Sequence, residues 1–164
     1  MTYYDVQTYS ARGSIGYLMR RGASLMREQL EIALAAHGFT FAQWVTLVLV
    51  RDDATLTPAD LCRELHHDSG AFTRILDQLE ERGYLKRQRG AADRRLVQLQ
   101  LTAAGRKAID ALLPVVVDRL NCALEGFSNA EVNTLSRLLN RLIVRLEAAE
   151  TERHGEALPG PVRR

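Results

Sequence analysis

The chain has 164 residues, of which 46% are hydrophobic and 26% charged, and its formal net charge is +2. This length fits a single domain, and the composition is too apolar for a disordered chain. The longest apolar stretches, 44–50 and 111–117, are much shorter than the roughly 20 residues that cross a bilayer, and no secretory signal is visible in 1–14. We therefore expect a cytoplasmic globular protein with no membrane partner.

The first predicted helix runs from Arg12 to His37, where apolar residues recur every three or four positions. The second begins at Thr40, whose spacing to Gln43 is that of a capping box. The third begins at Thr57, with Pro58 at the first helical position, where a missing N–H does no harm. The starts at Thr40 and Thr57 each rest on a side-chain oxygen that accepts a hydrogen bond from a free N–H group of the first turn.

A short amphipathic helix is predicted next, from Asp68 to Arg82, with Gly83 as a left-handed stop. Its apolar face consists of Phe72, Ile75, Leu76 and Leu79. Two strands follow, 84–87 and 96–101, and the second alternates apolar and glutamine residues, as a half-buried strand does. Together they predict a hairpin with a long polar tip.

The hairpin concentrates positive charge. Between positions 86 and 95 the basic residues exceed the single acid by four, so the rest of the chain sums to −2. These residues are Lys86, Arg87, Arg89, Arg94 and Arg95, with Asp93 as the acid. Such a local field attracts a polyanion, although a solvated basic loop is the alternative.

The last two predicted helices run from Thr102 to about Gly126, with a kink at Pro114, and from a capping box at 128–131 onward. The final helix carries a stripe of leucines and isoleucine along one face. The segment 151–164 mixes charge with glycine and proline, and it predicts a flexible tail.

Two short capped helices followed directly by a basic hairpin are the element order of a winged helix-turn-helix. The residues from His67 to Gly83, those from Asp93 to Thr102, and Gly105 resemble the MarR (multiple antibiotic resistance regulator) family of bacterial transcription factors. The implied fold is mainly α: a winged helix-turn-helix with long N- and C-terminal dimerisation helices. The expected parts are dimerisation helices at 1–39 and 103–150, a DNA-binding domain at 40–102, and the tail.

The resemblance implies a homodimeric, ligand-responsive regulator of transcription, expected to be a repressor, that binds double-stranded DNA. Its recognition helix would read the major groove and its wing the minor groove, where negative potential is concentrated. The family pattern Gly-Ala-x-Thr-Arg falls on 70–74, and Asp-x-Arg falls on 93–95. The predicted DNA-binding residues are Ser69, Gly70, Ala71, Thr73, Arg74, Arg87, Arg89, Asp93, Arg94 and Arg95.

A winged domain of about 70 residues cannot cover all the apolar stripes of the terminal helices, which predicts a dimer interface. The residues predicted for it are Leu112, Val116, Leu120, Leu135, Leu139, Leu142 and Leu146. The resemblance also implies a small aromatic or phenolic acid as effector. Tyr17, Arg21, His37 and Trp44 would supply an aromatic wall and a cation for it, while core packing is the alternative for Trp44.

Neither a disulfide scaffold nor a zinc ribbon is expected from the two cysteines, Cys62 and Cys122, which are predicted to be small buried residues. A redox role for Cys62 is an alternative trigger. A metal site at His66, His67 and Asp68 is not expected, because adjacent residues rarely converge on one ion. We also expect no cofactor and no enzymatic activity, since the chain has neither a nucleophile elbow nor a phosphate loop. The remaining rival is a helical protein-interaction module whose hairpin binds an acidic partner.

Overall fold

A computed structural model describes residues 3–65, 68–89 and 97–156. Its elements in chain order are α1 (Ile15–Ala35), α2 (Phe41–Asp52), α3 (Pro58–Glu64), α4 (Ser69–Glu81), β1 (Leu85–Arg89), β2 (Val97–Leu101), α5 (Ala103–Ala123) and α6 (Asn129–Glu156). The predicted mainly α fold with one hairpin is confirmed. No helix in the described part of the chain is long and apolar enough to cross a membrane.

The starts of α2, α3 and α6 lie where the sequence predicts them. Thr40 and Gln43 form a reciprocal capping box at α2, as do Thr57 and Asp60 at α3. The box predicted at 128–131 caps α6 in the same way: the Glu131 carboxylate accepts from the Ser128 N–H at 2.8 Å. At α1 the cap is Ser14, so this helix begins three residues later than predicted.

The two strands pair antiparallel, with Leu85 opposite Leu101 and Arg87 opposite Leu99. The alternation predicted for β2 is confirmed, because Leu99 and Leu101 are buried and the glutamines between and before them are exposed. The inner face of the hairpin therefore joins the hydrophobic core, and its outer face is polar.

The chain divides into two compact units, Met1–Ala123 and Leu124–Arg164. The core of the first unit is built from all its helices and from the inner face of the hairpin. Its largest fully buried side chains include Leu34, Leu47, Leu61, Phe72, Leu76, Leu79, Leu85, Leu99, Ile109 and Leu112. The second unit contains α6.

Two residues predicted for the dimer interface belong to this core instead. Leu112 and Val116 are only 2% and 4% exposed, because α5 packs against α1 and α2 of the same chain. Leu120, one turn further on, is half-buried and packs against the same core. Helical periodicity identifies an apolar stripe, but it does not show whether the same chain or a second chain covers the stripe.

Two further expectations need correction. Helix α6 continues through Glu156, so 151–156 are helical rather than tail; most residues after Leu146 are good helix formers, and no strong helix breaker precedes Gly155. Residues 157–164 lie outside the described part of the chain. Cys122 is exposed rather than buried, while Cys62 is half-buried and packs against the core.

The start of α5 lies very close to the start of β1. The Thr102 hydroxyl donates to the Gly83 carbonyl oxygen at 2.6 Å and accepts from the Gly105 N–H at 3.0 Å. A Cβ at Gly105 would collide with the carbonyl oxygen of Tyr84. Only glycine therefore allows the first turn of α5 to approach the hairpin this closely.

We expect Gly105→Ala to lower the free energy of unfolding by about 1–3 kcal/mol, because the added methyl must push α5 away from the hairpin. Gly22→Ala is the matched control: nothing lies within 4 Å of a Cβ there, in the middle of α1. It should raise the free energy of unfolding by up to about 1 kcal/mol through helix propensity. Urea unfolding measures the free energy of unfolding of both variants. Equal effects of the two substitutions would contradict the close contact between Gly105 and the hairpin.

Candidate nucleic-acid interface

Helices α3 and α4 form the helix-turn-helix, and α4 is fixed at its N-terminus by an aspartate cap. The Asp68 carboxylate accepts from the N–H groups of Gly70 and Ala71, at 3.0 and 3.2 Å. A Cβ at Gly70 would lie 3.2 Å from the same carboxylate oxygen, so a glycine suits this position. Asp68 therefore has a structural role at the helix start, as the sequence predicts.

One face of α4 is buried and the other is open to solvent. Phe72, Leu76 and Leu79 are at most 2% exposed. The exposed residues of α4 are small at the N-terminus and then polar or basic; the first five are Ser69, Gly70, Ala71, Thr73 and Arg74. All five belong to the predicted DNA-binding set, so the structure brings these members together on one surface.

The two larger side chains of this surface, Thr73 and Arg74, differ in their contacts within the chain. The Thr73 hydroxyl donates to the Ser69 carbonyl oxygen at 2.8 Å, which leaves its oxygen lone pairs and its methyl group available. Arg74 is exposed and takes part in none of the ion pairs among the described residues. A guanidinium in that position can reach base edges or phosphate groups.

Arg87, predicted as a DNA contact, faces α4 instead. Its guanidinium lies 2.7 Å from the carboxylate of Asp77 and 2.6 Å from that of Glu80. The Arg87 backbone N–H also donates to Glu80, at 3.0 Å. Arg87 thus connects strand β1 to α4, and its charge is already paired within the chain.

The electrostatics of this group follow from its partners. Burial by itself lowers the pKa of the Arg87 guanidinium, but hydrogen bonds and charge attraction from Asp77 and Glu80 outweigh it, so the pKa is raised. The permanently charged guanidinium also offsets two carboxylates that would otherwise repel a polyanion beside α4. Asp77 and Glu80 were not identified from the sequence as partners of Arg87, although their spacing of one helical turn places them on one face of α4.

The structure describes the other predicted DNA-binding residues of the hairpin only in part. Asp93, Arg94 and Arg95 lie outside the described residues, and of Arg89 only the backbone is described. His66 and His67 also lie outside them. Among the residues that are described, no group of three or more His, Cys, Asp and Glu side chains is arranged to hold a metal ion.

The four residues predicted to bind an effector occupy different environments. Trp44 is 6% exposed and belongs to the core, which is the alternative that the sequence left open for it. Tyr17 is half-buried, with the guanidinium carbon of Arg20 at 5.5 Å from its ring centre, whereas Arg21 and His37 are exposed. The hydrogen bonds, ion pairs and ring contacts of the described residues join none of the four to another.

A surface cavity of about 540 Å³ lies between α3 and α4. Its walls include Cys62, Arg63, Phe72 and Thr73. No periodicity or motif in the sequence signals this cavity, because it arises from the packing of two helices. It combines an apolar floor with one cation, and Thr73 of the exposed Thr-Arg face forms part of its wall.

These features define a winged helix-turn-helix DNA-binding protein. They are the capped helix pair, the exposed Thr73 and Arg74, and the antiparallel hairpin that is ion-paired with α4. The model of the MarR family matches residues 37–96. Over 105 residues the chain is 33% identical to the multiple antibiotic resistance protein MarR of Escherichia coli, covering 63% of this chain and 73% of that protein. The chain belongs to the MarR family and is a DNA-binding transcriptional regulator.

Further comparisons agree with this assignment. The transcriptional repressor MprA of E. coli is 28% identical over 131 residues, which cover 79% of this chain and 74% of that protein. A mutant of E. coli MarR complexed with operator DNA superposes with a TM-score of 0.69 at 28% identity, covering 82% of this chain and 99% of that one. A Mycobacterium tuberculosis MarR family protein complexed with salicylic acid gives a TM-score of 0.69 at 25% identity, with the same coverage.

We expect Arg87→Gln to lower the free energy of unfolding by about 1 kcal/mol, because it removes a partly exposed network of two ion pairs. The control is Lys86→Gln on the same strand, an exposed residue that appears in no described ion pair. This control removes the same charge and should leave stability within about 0.5 kcal/mol. Thermal unfolding at low and high salt checks both, since the Arg87 effect should shrink as salt screens the pairs.

Proposed function

We propose that the protein is a homodimeric repressor that reads the major groove with α4 and reaches the minor groove with its hairpin. The observation that carries this proposal is the outward face of α4, where three small residues precede Thr73 and Arg74. Small side chains let a helix approach base edges closely, and arginine offers paired donors to guanine. Repression is supported by the relative that is named a transcriptional repressor.

The wing completes the proposed interface. Arg95 would enter the minor groove, and Asp93 would orient it. In the described part of the wing, Arg87 forms ion pairs with Asp77 and Glu80. The proposal therefore assigns phosphate and groove contacts to Arg74, Arg89, Arg94 and Arg95, and it removes Arg87 from the contact set.

Arg74→Ala and Arg95→Ala should each weaken DNA binding by about 1–3 kcal/mol, roughly five- to 150-fold. The probe is a duplex that the wild-type protein selects from a random-sequence pool, titrated at several salt concentrations. Lys107→Ala on α5 removes one exposed positive charge and serves as the control. A protein-interaction module would instead show no selected duplex and no steep salt dependence. Unchanged affinity of both arginine variants would overturn the proposed interface.

Self-association is supported by the apolar side chains that one chain leaves exposed. In α6 these include Leu135, Leu138, Ile143, Val144 and Leu146, each more than 40% exposed. Helix α1 exposes others, among them Leu18 and Ile32. Of the residues predicted for the interface, Leu135 and Leu146 are exposed, and Leu139 and Leu142 are half-buried. Apolar surface of this extent on long helices usually marks a protein–protein contact.

A dimer should have twice the 18.4 kDa mass of one chain in light scattering at micromolar concentration. Leu146→Glu should shift the equilibrium toward monomer, because it places a charge in the proposed contact, whereas Glu147→Gln beside it should not. The selected duplex should contain two inverted half-sites about 34–36 Å apart. A monomer that binds the duplex with full affinity would contradict this part of the proposal.

A small aromatic acid is the proposed effector. The support is the relative whose structure holds salicylic acid, together with two places in this chain that offer a cation beside apolar surface. One is the predicted site at Tyr17, Arg21 and His37. The other is the cavity between α3 and α4, which contains Arg63. An effector releases DNA only if it binds the free protein more tightly than the complex, by about 1.4 kcal/mol for each tenfold loss.

Salicylate, benzoate and a hydroxylated nicotinate should therefore weaken binding of the selected duplex in a competition titration. Arg21→Ala and Arg63→Ala distinguish the two places, since only the variant at the true site should abolish release while leaving DNA binding measurable. If no acid in the panel changes DNA affinity or melting temperature, the effector proposal fails. Oxidation of Cys62, which lines the cavity, is then the next trigger to test by comparing reduced and oxidised protein.

A further inference from the structure

Arg82, the C-cap residue that follows α4, turns away from the exposed Thr-Arg face toward the turn between α1 and α2. Its guanidinium carbon lies 4.4 Å from the ring centre of Phe39 and 4.9 Å from that of Tyr84. Nη1 donates to the Gly38 carbonyl oxygen at 2.8 Å. The C-cap side chain of α4 thus contacts residues more than 40 positions earlier in the chain.

A second contact joins the same two parts of the fold. Gln43 is only 5% exposed, and its side-chain N–H donates to the Gln78 side-chain oxygen at 2.9 Å. Its own side-chain oxygen accepts from the Thr40 N–H at 3.1 Å and from Arg82 at 3.4 Å. Since Gln78 lies in the last turn of α4 and Arg82 is its C-cap, the C-terminal end of this helix contacts the capping box of α2.

Helix α1 holds the same turn from its own side. The Glu31 carboxylate accepts from the Phe41 N–H at 3.0 Å. The guanidinium carbon of Arg27, one turn earlier, lies 5.6 Å from the Phe41 ring centre. The N-terminus of α2 is therefore a junction, defined here as residues 38–43, that α1 and α4 both contact through directional interactions.

We propose that Arg82 is a positioning residue for DNA binding: it sets the orientation of α4 relative to α1 by fixing the C-terminal end of α4 to this junction. The inference rests on the proposed function, because α4 must be the helix that reads DNA. Arginine is required because a planar guanidinium can lie against two rings while donating in its own plane, which a lysine ammonium cannot do. Any displacement of α1 would then reach α4 through the junction.

This role differs from a phosphate contact and from a purely stabilising contact. A misoriented helix loses contacts with base edges but keeps the general attraction of phosphate for positive charge. The ratio of affinities for the selected duplex and for a scrambled duplex of the same composition therefore reports orientation. Neither a lost phosphate contact nor a small loss of stability changes that ratio.

The test compares Arg82→Lys, which keeps the charge, with Arg82→Gln, which removes it, and uses Lys107→Gln as the charge-matched control. We expect both Arg82 variants to lower the affinity ratio about tenfold, while Arg82→Lys leaves affinity for the scrambled duplex within twofold. If lysine keeps the wild-type affinity for both duplexes and glutamine weakens binding of both equally, Arg82 contacts phosphate and the inference is wrong. An unchanged ratio in both variants also overturns it.

Two measurements keep the result interpretable. Fluorescence of Trp44, the single tryptophan, checks that the core beside the junction is intact. Hydrogen exchange should be faster at residues 38–43 in Arg82→Lys than in wild type, and an unchanged rate there counts against the inference. If Arg82→Lys does not fold, Phe39→Leu removes the ring while keeping the arginine, and it should lower the same ratio.

The two proposals can fail separately. If the wild-type protein shows no preference for the selected duplex, or if Arg74→Ala leaves that preference intact, the proposed use of α4 is wrong. If Arg74→Ala abolishes the preference and both Arg82 variants retain it, only the positioning role of Arg82 is wrong.

Discussion

Every feature of the proposed interface depends on the burial of one face of α4. Phe72, Leu76 and Leu79 are almost completely removed from solvent, and each side chain of this kind contributes roughly 1.5–3 kcal/mol when fully buried. A helix of 13 residues is too short to be stable in water without such packing. Because these three positions must face inward, Thr73 and Arg74 must face outward.

Burial is not directional, so it leaves the tilt of α4 only loosely specified. Hydrogen bonds and ion pairs supply the direction. Arg87 connects the C-terminal half of α4 to strand β1 through Asp77 and Glu80, and the C-cap Arg82 connects the end of the helix to the turn before α2. Asp68 fixes the N-terminus. Helix α4 is thus held at three points, and each point depends on a side chain outside the exposed face proposed to meet DNA.

The sequence predicted the local features of this arrangement with little error. The caps at Thr40, Thr57, Asp68 and Ser128, the stop at Gly83 and the alternation in β2 all involve residues within a few positions of each other. Local hydrogen bonding and side-chain periodicity are sufficient to specify such features. The exposed face of α4 followed from the same periodicity, and the resemblance of its residues to a family indicated its function.

The errors share a different cause. Arg87 was assigned to DNA because its charge is visible in the sequence, whereas its partners Asp77 and Glu80 become visible only when β1 folds against α4. Leu112 and Val116 were assigned to a dimer because their stripe is visible, whereas α1 and α2 of the same chain cover it. Periodicity and charge therefore indicate which apolar side chains need to be buried, which charged side chains can form ion pairs, and on which face they lie. Which partner each one finds is decided by long-range packing, because that choice depends on which distant segments share the same space.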